Sequence, residues 1–249
     1  IMKIYYFFKK FLCLIFYIIK TKKILKKYFS HGSSEISREQ SQVIKQWFLG
    51  IRDIIGVHVN IENKSKINDK NFLILSNHIS WLDIIILGSI FETTFLSKSE
   101  VASWPVIGRI TRSVDVLFIK RGSKDAAKQA IEMVQRSLMK NRNVVIFPEG
   151  TTSDGSSLLK FRPRLLASAI DISVPVKCVT ITYPLENKIN PVVPFVRSDS
   201  LFLSIIKILY SNKISVKIII EELIETKGLD RKTLSNICFD KIKSNLNYY

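Results

Sequence analysis

Short apolar segments alternate with longer helix-like segments along most of the chain, and this alternation constrains the fold more than any other feature. The clearest helix is Lys124–Met139, whose apolar residues recur with a spacing near 3.6. The clearest strand is Val144–Phe147, which ends at Pro148. Strands that alternate with helices predict an α/β fold, with a largely parallel or mixed central sheet flanked by helices.

The remaining elements follow from the same patterns. The other predicted strands are Val57–Ile61, Phe72–Leu75, Thr94–Ser97, Val114–Ile119, Val174–Tyr183 and Ile214–Ile220. The other predicted helices are Ile79–Phe91, Trp104–Arg112, Pro163–Ile170 and Arg231–Asn245. A chain of 249 residues suffices for one large domain. We place this domain at residues 46–249.

The first thirty residues differ from the rest in composition. Residues 1–30 hold eight lysines and no acidic residue, and their longest uncharged run is Phe11–Ile19. That run is too short for a spanning helix, which needs about 20 apolar residues. A signal peptide is the weaker interpretation, because no small-residue cleavage site follows. We expect a basic, aromatic-rich helical segment that lies in a membrane interface; an ordinary packed helix is the alternative. Residues 31–45 are polar and predict a linker.

The net charge of +17 implies an anionic partner. A membrane surface fits better than nucleic acid, because the chain carries no recognisable nucleic-acid-binding motif. The three cysteines lie far apart, without C-x-x-C spacing. This spacing argues against a zinc site or a disulfide framework and is typical of a reducing compartment.

One of the chain's three histidines lies between two apolar segments, with a carboxylate five positions later. His78 follows the predicted strand Phe72–Leu75, and Asp83 lies inside the predicted helix Ile79–Phe91. On one continuous helix, residues five apart point about 140° from each other. The two side chains can meet if His78 lies in the loop before the helix and Asp83 in its first turn. Ser80 supports that start, because Ser80 and Asp83 have the spacing of a capping box.

Asp83 is then either a helix cap beside an ordinary loop histidine or the partner of a catalytic base. In the catalytic interpretation, Asp83 accepts a hydrogen bond from one imidazole nitrogen of His78, which fixes the tautomer and leaves the other nitrogen as a base. No G-x-S-x-G motif marks a nucleophile on the enzyme. The base would therefore activate a hydroxyl group of the substrate.

A second loop, at residues 148–155, reads Pro-Glu-Gly-Thr-Thr-Ser-Asp-Gly. Gly150 and the final glycine allow backbone N–H groups to converge on an anion, and Thr151 and Thr152 add hydroxyl groups. Glu149 would repel an anion unless it binds a substrate hydroxyl or a nearby arginine. An ordinary turn is the alternative.

Cations lie near both loops in the sequence. Lys120 and Arg121 end a predicted strand, and a guanidinium suits a phosphate because it binds two oxygens at once. Lys160, Arg162 and Arg164 follow the second loop, and we interpret them as a solvated face. Ligands of such sheets bind at the carboxyl ends of the strands, so both loops are candidate parts of one site.

Taken in this order, the segments resemble the glycerolipid acyltransferase family, the PlsC type that includes lysophosphatidate acyltransferases. The resemblance covers roughly residues 70–185. The matched motifs are N-H-x4-D at Asn77, His78 and Asp83, F-x-x-R at Phe118 and Arg121, F-P-E-G-T at Phe147–Thr151, and V-P-[VI] at Val174–Val176.

The resemblance implies a reaction. His78, oriented by Asp83, would remove a proton from the free hydroxyl of a lysolipid, and the alkoxide would attack the thioester of acyl-CoA or acyl carrier protein. Arg121 and the Glu149–Thr151 loop would hold the acceptor's phosphate. The favoured acceptor is 1-acyl-sn-glycerol-3-phosphate, which gives phosphatidic acid in phospholipid biosynthesis. No cofactor, metal or acyl-enzyme is expected, and the enzyme would work on the cytoplasmic face of a bacterial inner membrane.

Two departures from the family pattern leave alternatives open. Thr152 stands where many members have arginine, and the fourth motif continues into Lys177-Cys178. The first departure also fits an acyltransferase for another acceptor, such as a lyso-ornithine lipid, which carries no phosphate monoester. A non-enzymatic basic module that binds membranes is a further alternative, motivated by the net charge.

Overall fold

The structure is a computed structural model that describes residues 2–29, 36–63, 71–103, 108, 111, 116–120, 125–186, 188–196 and 199–246. Its helices are α1 (Met2–Phe29), α2 (Arg38–Ile55), α3 (Leu82–Ile90), α4 (Ala126–Met139), α5 (Ala167–Ile170), α6 (Leu201–Tyr210) and α7 (Arg231–Asn245). Its strands are β1 (Val57–Asn63), β2 (Leu73–Ser76), β3 (Thr93–Lys98), β4 (Leu117–Ile119), β5 (Asn143–Ile146), β6 (Val176–Thr182), β7 (Pro184–Leu185), β8 (Lys188–Ile189) and β9 (Ile214–Ile224).

Seven strands form one mixed sheet in the order β1-β9-β6-β2-β5-β3-β4. Neighbouring strands from β6 to β4 run parallel, while β9 pairs with β6 antiparallel and with β1 parallel. Strands β7 and β8 form a separate hairpin. The predicted α/β class with a mixed central sheet is confirmed.

Helices cover both faces of the sheet, so two apolar cores form. Leu73 and Leu75 of β2 point into the core under α4 and α7, whereas Ile74 points into the core under α2 and α3. All three side chains are fully buried. A strand covered on both faces reads as a continuous apolar run instead of an alternating one, which is the pattern of the β2 sequence.

A glycine sets the approach of α2 to α3 in the first core. A Cβ atom added at Gly88 would lie 2.4 Å from the Phe48 ring, closer than side chains tolerate. The glycine therefore lets Phe48 lie directly on the α3 backbone near the C-terminal end of the helix that carries Asp83.

Helix α1 packs on the domain through one face. The Trp47 indole N–H donates to Thr21 Oγ1 at 2.8 Å, and Lys10 Nζ donates to the Ser211 carbonyl at 2.8 Å. The opposite face exposes large apolar side chains: Met2, Ile4, Tyr5, Tyr6, Phe8, Leu12, Ile15, Phe16 and Ile19. The packed and interfacial interpretations are therefore compatible. No helix within the described ranges has the apolar length that a membrane crossing requires.

The predicted polar linker at residues 31–45 requires a correction. Helix α2 already begins at Arg38. Gln40 N–H donates to Ser37 Oγ at 3.1 Å, and Ser37 N–H donates to Gln40 Oε1 at 2.7 Å, which completes a capping box. Helix α6 was not expected from the sequence. The expected helix Trp104–Arg112 lies largely outside the described residues and stays a prediction.

Candidate active site

Two loops leave the sheet side by side because β2 and β5 are adjacent parallel strands. Leu75 is paired with Ile146, so the residues that follow each strand emerge at the same edge. The Ser153 N–H donates to the His78 carbonyl at 2.8 Å, which binds one loop to the other. The expected meeting of the two sequence segments is confirmed.

His78 and Asp83 form a hydrogen-bonded pair at the start of α3. His78 Nδ1 lies 2.8 Å from Asp83 Oδ2. The same oxygen accepts the N–H groups of Ile79 at 2.7 Å and Ser80 at 2.9 Å. Asp83 is 0% exposed. The predicted contact between the loop histidine and the first helical turn is confirmed, while its catalytic role stays a prediction.

The imidazole of His78 is also held from its face. The His78 and Phe147 rings are stacked, with centroids 3.8 Å apart and planes 12° from parallel. The His78 side chain is 16% exposed. In the described part of the chain, its Nε2 has no hydrogen-bond partner. One ring nitrogen is thus engaged and oriented, and the other is open to a ligand.

Tyr183 approaches Asp83 from the opposite side. Its hydroxyl donates to Asp83 Oδ1 at 2.5 Å, and the residue is 3% exposed. Burial, followed by the neighbouring Asp83 carboxylate, raises the pKa of Tyr183 well above its ordinary value. Neither Tyr183 nor Phe147 was among the residues predicted for the site.

The buried side chain of Glu149 joins the two loops through hydrogen bonds. Its Oε1 accepts the His78 N–H at 2.7 Å, and its Oε2 accepts the Leu159 N–H at 2.9 Å. Burial raises the pKa of Glu149 to about 7; the two backbone hydrogen bonds oppose the rise, and Asp83 adds to it. Both carboxylate oxygens thus hold backbone groups, and the predicted substrate contact stays a prediction.

Gly150 and Thr152 each make a hydrogen bond that holds the second loop in place. Gly150 adopts a φ of 70°, in the left-handed region that favours glycine, and its N–H donates to the Phe147 carbonyl at 3.0 Å. The Thr152 hydroxyl donates to the Phe195 carbonyl. Phe195 belongs to residues 190–196, which we call the strap, and its N–H donates to the Ile79 carbonyl at 2.9 Å. Thr152 therefore ties the second loop to the strap.

Two further predicted substrate-binding residues, Thr151 and Arg121, and one neighbouring cation, Arg162, remain to be placed. Thr151 is half-buried beside Gly150. Arg121 lies outside the described residues. Arg162 lies against the second loop, because a Cβ atom at Gly150 would be 3.3 Å from Arg162 Nε. The sequence interpretation of Arg162 as part of a solvated face is incomplete, since this cation borders the candidate site.

Asn77 fixes the first loop to the sheet. Its amide donates to the Ile181 carbonyl at 2.9 Å and accepts the Ile181 N–H at 2.8 Å. Within the described residues, no group of three or more His, Cys, Asp or Glu side chains could hold a metal ion. The chemistry that the geometry offers is proton removal by an oriented imidazole backed by a buried carboxylate.

Comparison with known proteins identifies a family and several relatives of this chain. The family model described as Acyltransferase matches residues 58–182. The lyso-ornithine lipid O-acyltransferase of Pseudomonas aeruginosa is 40% identical over 161 residues, which cover 65% of this chain and 62% of that protein. The 1-acyl-sn-glycerol-3-phosphate acyltransferase of Neisseria meningitidis serogroup B is 31% identical over 134 residues, which cover 54% of this chain and 52% of that protein.

The matched stretch thus spans between half and two thirds of these curated relatives. A solved structure is similar over nearly the whole chain. The crystal structure of the 1-acyl-sn-glycerophosphate acyltransferase PlsC from Thermotoga maritima superposes with a TM-score of 0.74 and covers 98% of this chain and 95% of that one. At 21% identity, this similarity establishes the fold.

Proposed function

The chain belongs to the acyltransferase family, and on that premise we propose that it moves a fatty acyl group from a thioester donor to the free hydroxyl of a lysolipid. The donor is acyl-CoA or acyl carrier protein. The observation that carries the proposal is the pair of His78 Nδ1 and Asp83 Oδ2, 2.8 Å apart, with Nε2 of the same ring open. This arrangement suits deprotonation of a substrate hydroxyl and calls for no nucleophile on the enzyme.

The reaction follows from the ring orientation. The acceptor hydroxyl gives its proton to His78 Nε2 as its oxygen forms a bond to the thioester carbonyl carbon. The buried Asp83 carboxylate stabilises the imidazolium that results. The C–S bond then breaks, and the departing sulfur takes the proton from Nε2. The products are an ester and a free thiol, and His78 returns to its starting state.

The first candidate acceptor is 1-acyl-sn-glycerol-3-phosphate. Cations around the second loop support an anionic headgroup. Arg162 borders Gly150, and Lys160, two residues before Arg162, is exposed. Arg121 is proposed to complete the set, as the F-x-x-R motif suggests. A guanidinium is well suited to a phosphate monoester.

A lyso-ornithine lipid is the second candidate, and one observation favours it. Thr152, at the position of the usual arginine, donates its hydroxyl to the strap at Phe195 and adds no cation to the loop. The relative from Pseudomonas aeruginosa is named for that substrate. Its headgroup offers a carboxylate in place of a phosphate, which Arg162 could still pair with.

Association with a bacterial membrane completes the proposal. Helix α1 exposes aromatic and aliphatic side chains such as Tyr5, Phe8 and Phe16, and residues 1–30 carry eight lysines. An apolar face rimmed by lysines suits the interface of an anionic bilayer, where the acceptor lipid resides. We place the protein on the cytoplasmic side, where CoA and acyl carrier protein are found.

A thiol-release assay tests the proposal. Purified protein in detergent receives palmitoyl-CoA with lysophosphatidate or with a lyso-ornithine lipid, and acyl carrier protein thioesters serve as a second donor. His78→Ala should lower release about 10²–10⁴-fold. His58→Ala is the matched control, because His58 is exposed on the edge strand β1. Equal release by the parent and His78→Ala would refute the base assignment, and preference for one acceptor would decide the headgroup.

A further inference from the structure

Tyr183 makes a contact that no motif of the family anticipates, and we propose that it is a positioning residue of the His78–Asp83 pair. Its hydroxyl fixes the Asp83 carboxylate in place and directs Oδ2 at the imidazole. The inference rests on the proposed function only in assuming that His78 acts as the base.

The distribution of donors around Asp83 supports this role. Oδ2 has three neighbours, namely His78 Nδ1 and the N–H groups of Ile79 and Ser80. Oδ1 has only the Tyr183 hydroxyl among the described residues. Since Asp83 is fully buried, removal of that hydroxyl would leave one carboxylate oxygen without a partner and away from water.

The backbone holds Tyr183 in place from both sides. It directly follows β6, and the Asn77 side chain clamps β6 two residues earlier, at Ile181. The Asn190 N–H donates to the Tyr183 carbonyl at 2.8 Å. The phenol ring is buried in the same core as α2 and α3. The hydroxyl can therefore act as a fixed donor.

The hydroxyl also stays protonated over the working pH range, because burial and Asp83 raise the pKa of Tyr183 and so oppose its ionisation. A donor that never ionises reduces the negative charge that Asp83 presents to His78, and it prevents the carboxylate from rotating. Among the described residues, the titratable groups that face Asp83 in this cluster are His78, Glu149 and Tyr183 itself. Burial raises the pKa of Glu149 to about 7, so this carboxylate also titrates near neutral pH.

The test is Tyr183→Phe, which removes the hydroxyl and keeps the ring. Without that donor, Asp83 stabilises the imidazolium more strongly, so the acid limb of the pH–rate profile should move to higher pH. We expect kcat to fall at least about 10-fold with KM within about twofold, because the loss affects geometry in the transition state. Ser204→Ala is the matched control: it removes a buried hydrogen bond from the Trp81 indole without touching Asp83.

A second variant covers the case in which Tyr183→Phe does not fold. Difluorotyrosine at position 183 is a stronger donor of nearly the same size, and it should move the acid limb in the opposite direction, to lower pH. In an Asp83→Asn background, neither change at position 183 should have a further effect.

A readout independent of turnover separates this inference from the proposed function. The imidazole NMR signals of His78 can be followed against pH, since the chain has only three histidines. If the parent transfers no acyl group but the midpoint for His78 moves up in Tyr183→Phe, the proposed function fails and the positioning role stands. An unchanged midpoint and pH profile, or an equal change in Ser204→Ala, would overturn the positioning role.

Discussion

Replacement of Glu149 by glutamine tests whether this buried carboxylate joins the two loops of the site. The carboxylate is 3% exposed and accepts the backbone N–H groups of His78 and Leu159. Glutamine has the same shape but only one acceptor oxygen. One of those two N–H groups therefore loses its partner, which costs about 1–3 kcal/mol at any pH.

The second effect depends on pH. Burial raises the pKa of Glu149 from its ordinary value of 4.5 to about 7 in the folded protein. Between those values the folded protein keeps a proton that the unfolded chain has released, so the parent loses stability as pH rises from 4.5 to about 7. At about 1.36 kcal/mol per pH unit, the full loss is about 3 kcal/mol. Glu149→Gln has no charge to bury and should not show this loss.

Urea unfolding followed by tryptophan fluorescence, at several pH values between 4 and 8 in detergent, measures both effects. The variant should be the less stable protein at low pH, and the two stabilities should converge as pH rises. Glu222→Gln is the control, because Glu222 is exposed on β9 and should preserve the slope of the parent. Parallel curves for parent and Glu149→Gln would refute the argument that burial dominates the proton affinity of this carboxylate.

Three further predictions follow from other contacts. Gly88→Ala should destabilise the protein by about 1–3 kcal/mol in thermal or urea unfolding, because its Cβ would overlap the Phe48 ring; unchanged stability would show that the helices can move apart. Arg162→Ala should raise KM for an anionic acceptor at least about fivefold and leave kcat unchanged in steady-state assays, and an equal loss of kcat would contradict a binding role. Serine at both Phe8 and Phe16, which are exposed on α1, should weaken co-sedimentation with anionic liposomes about tenfold or more and spare turnover in detergent; unchanged binding would exclude this face as the contact.

The fold was largely accessible from the sequence where the pattern of apolar residues is unambiguous. Helix α7 has the predicted bounds, and α4 begins two residues later than expected. Helix α6 was missed because Leu201–Tyr210 is short and apolar almost throughout, and such a run does not by itself distinguish a helix from a buried strand. The start of α2 was missed although Ser37 and Gln40 have the spacing of a capping box.

The contacts of the site that could be predicted from the sequence are local, and those that were missed join residues far apart in the chain. His78 and Asp83 could be paired from the sequence because they are five residues apart and a single turn joins them. Tyr183 is 100 residues from Asp83, and Glu149 is 71 from His78. No local pattern encodes such pairs, since strand order alone brings them together. The hydrogen bond from Thr152 to Phe195 of the strap also joins residues distant in the chain, and no local pattern predicts it.

Asp83 combines the two roles that its sequence position allows, and its burial distinguishes them. A cap needs only a carboxylate near the first N–H groups, and an exposed residue performs that role with little desolvation. Here Oδ2 accepts the Ser80 N–H, but the N-cap residue of α3 is Trp81 and not the predicted Ser80, the Trp81 side chain makes no capping hydrogen bond, and Asp83 is 0% exposed. Burial of a carboxylate costs free energy that a cap does not require. The buried Asp83 carboxylate accepts the Tyr183 hydroxyl and holds Nδ1 of the His78 ring, which is stacked on Phe147. These contacts fix one imidazole nitrogen and leave Nε2 open at the edge of the sheet.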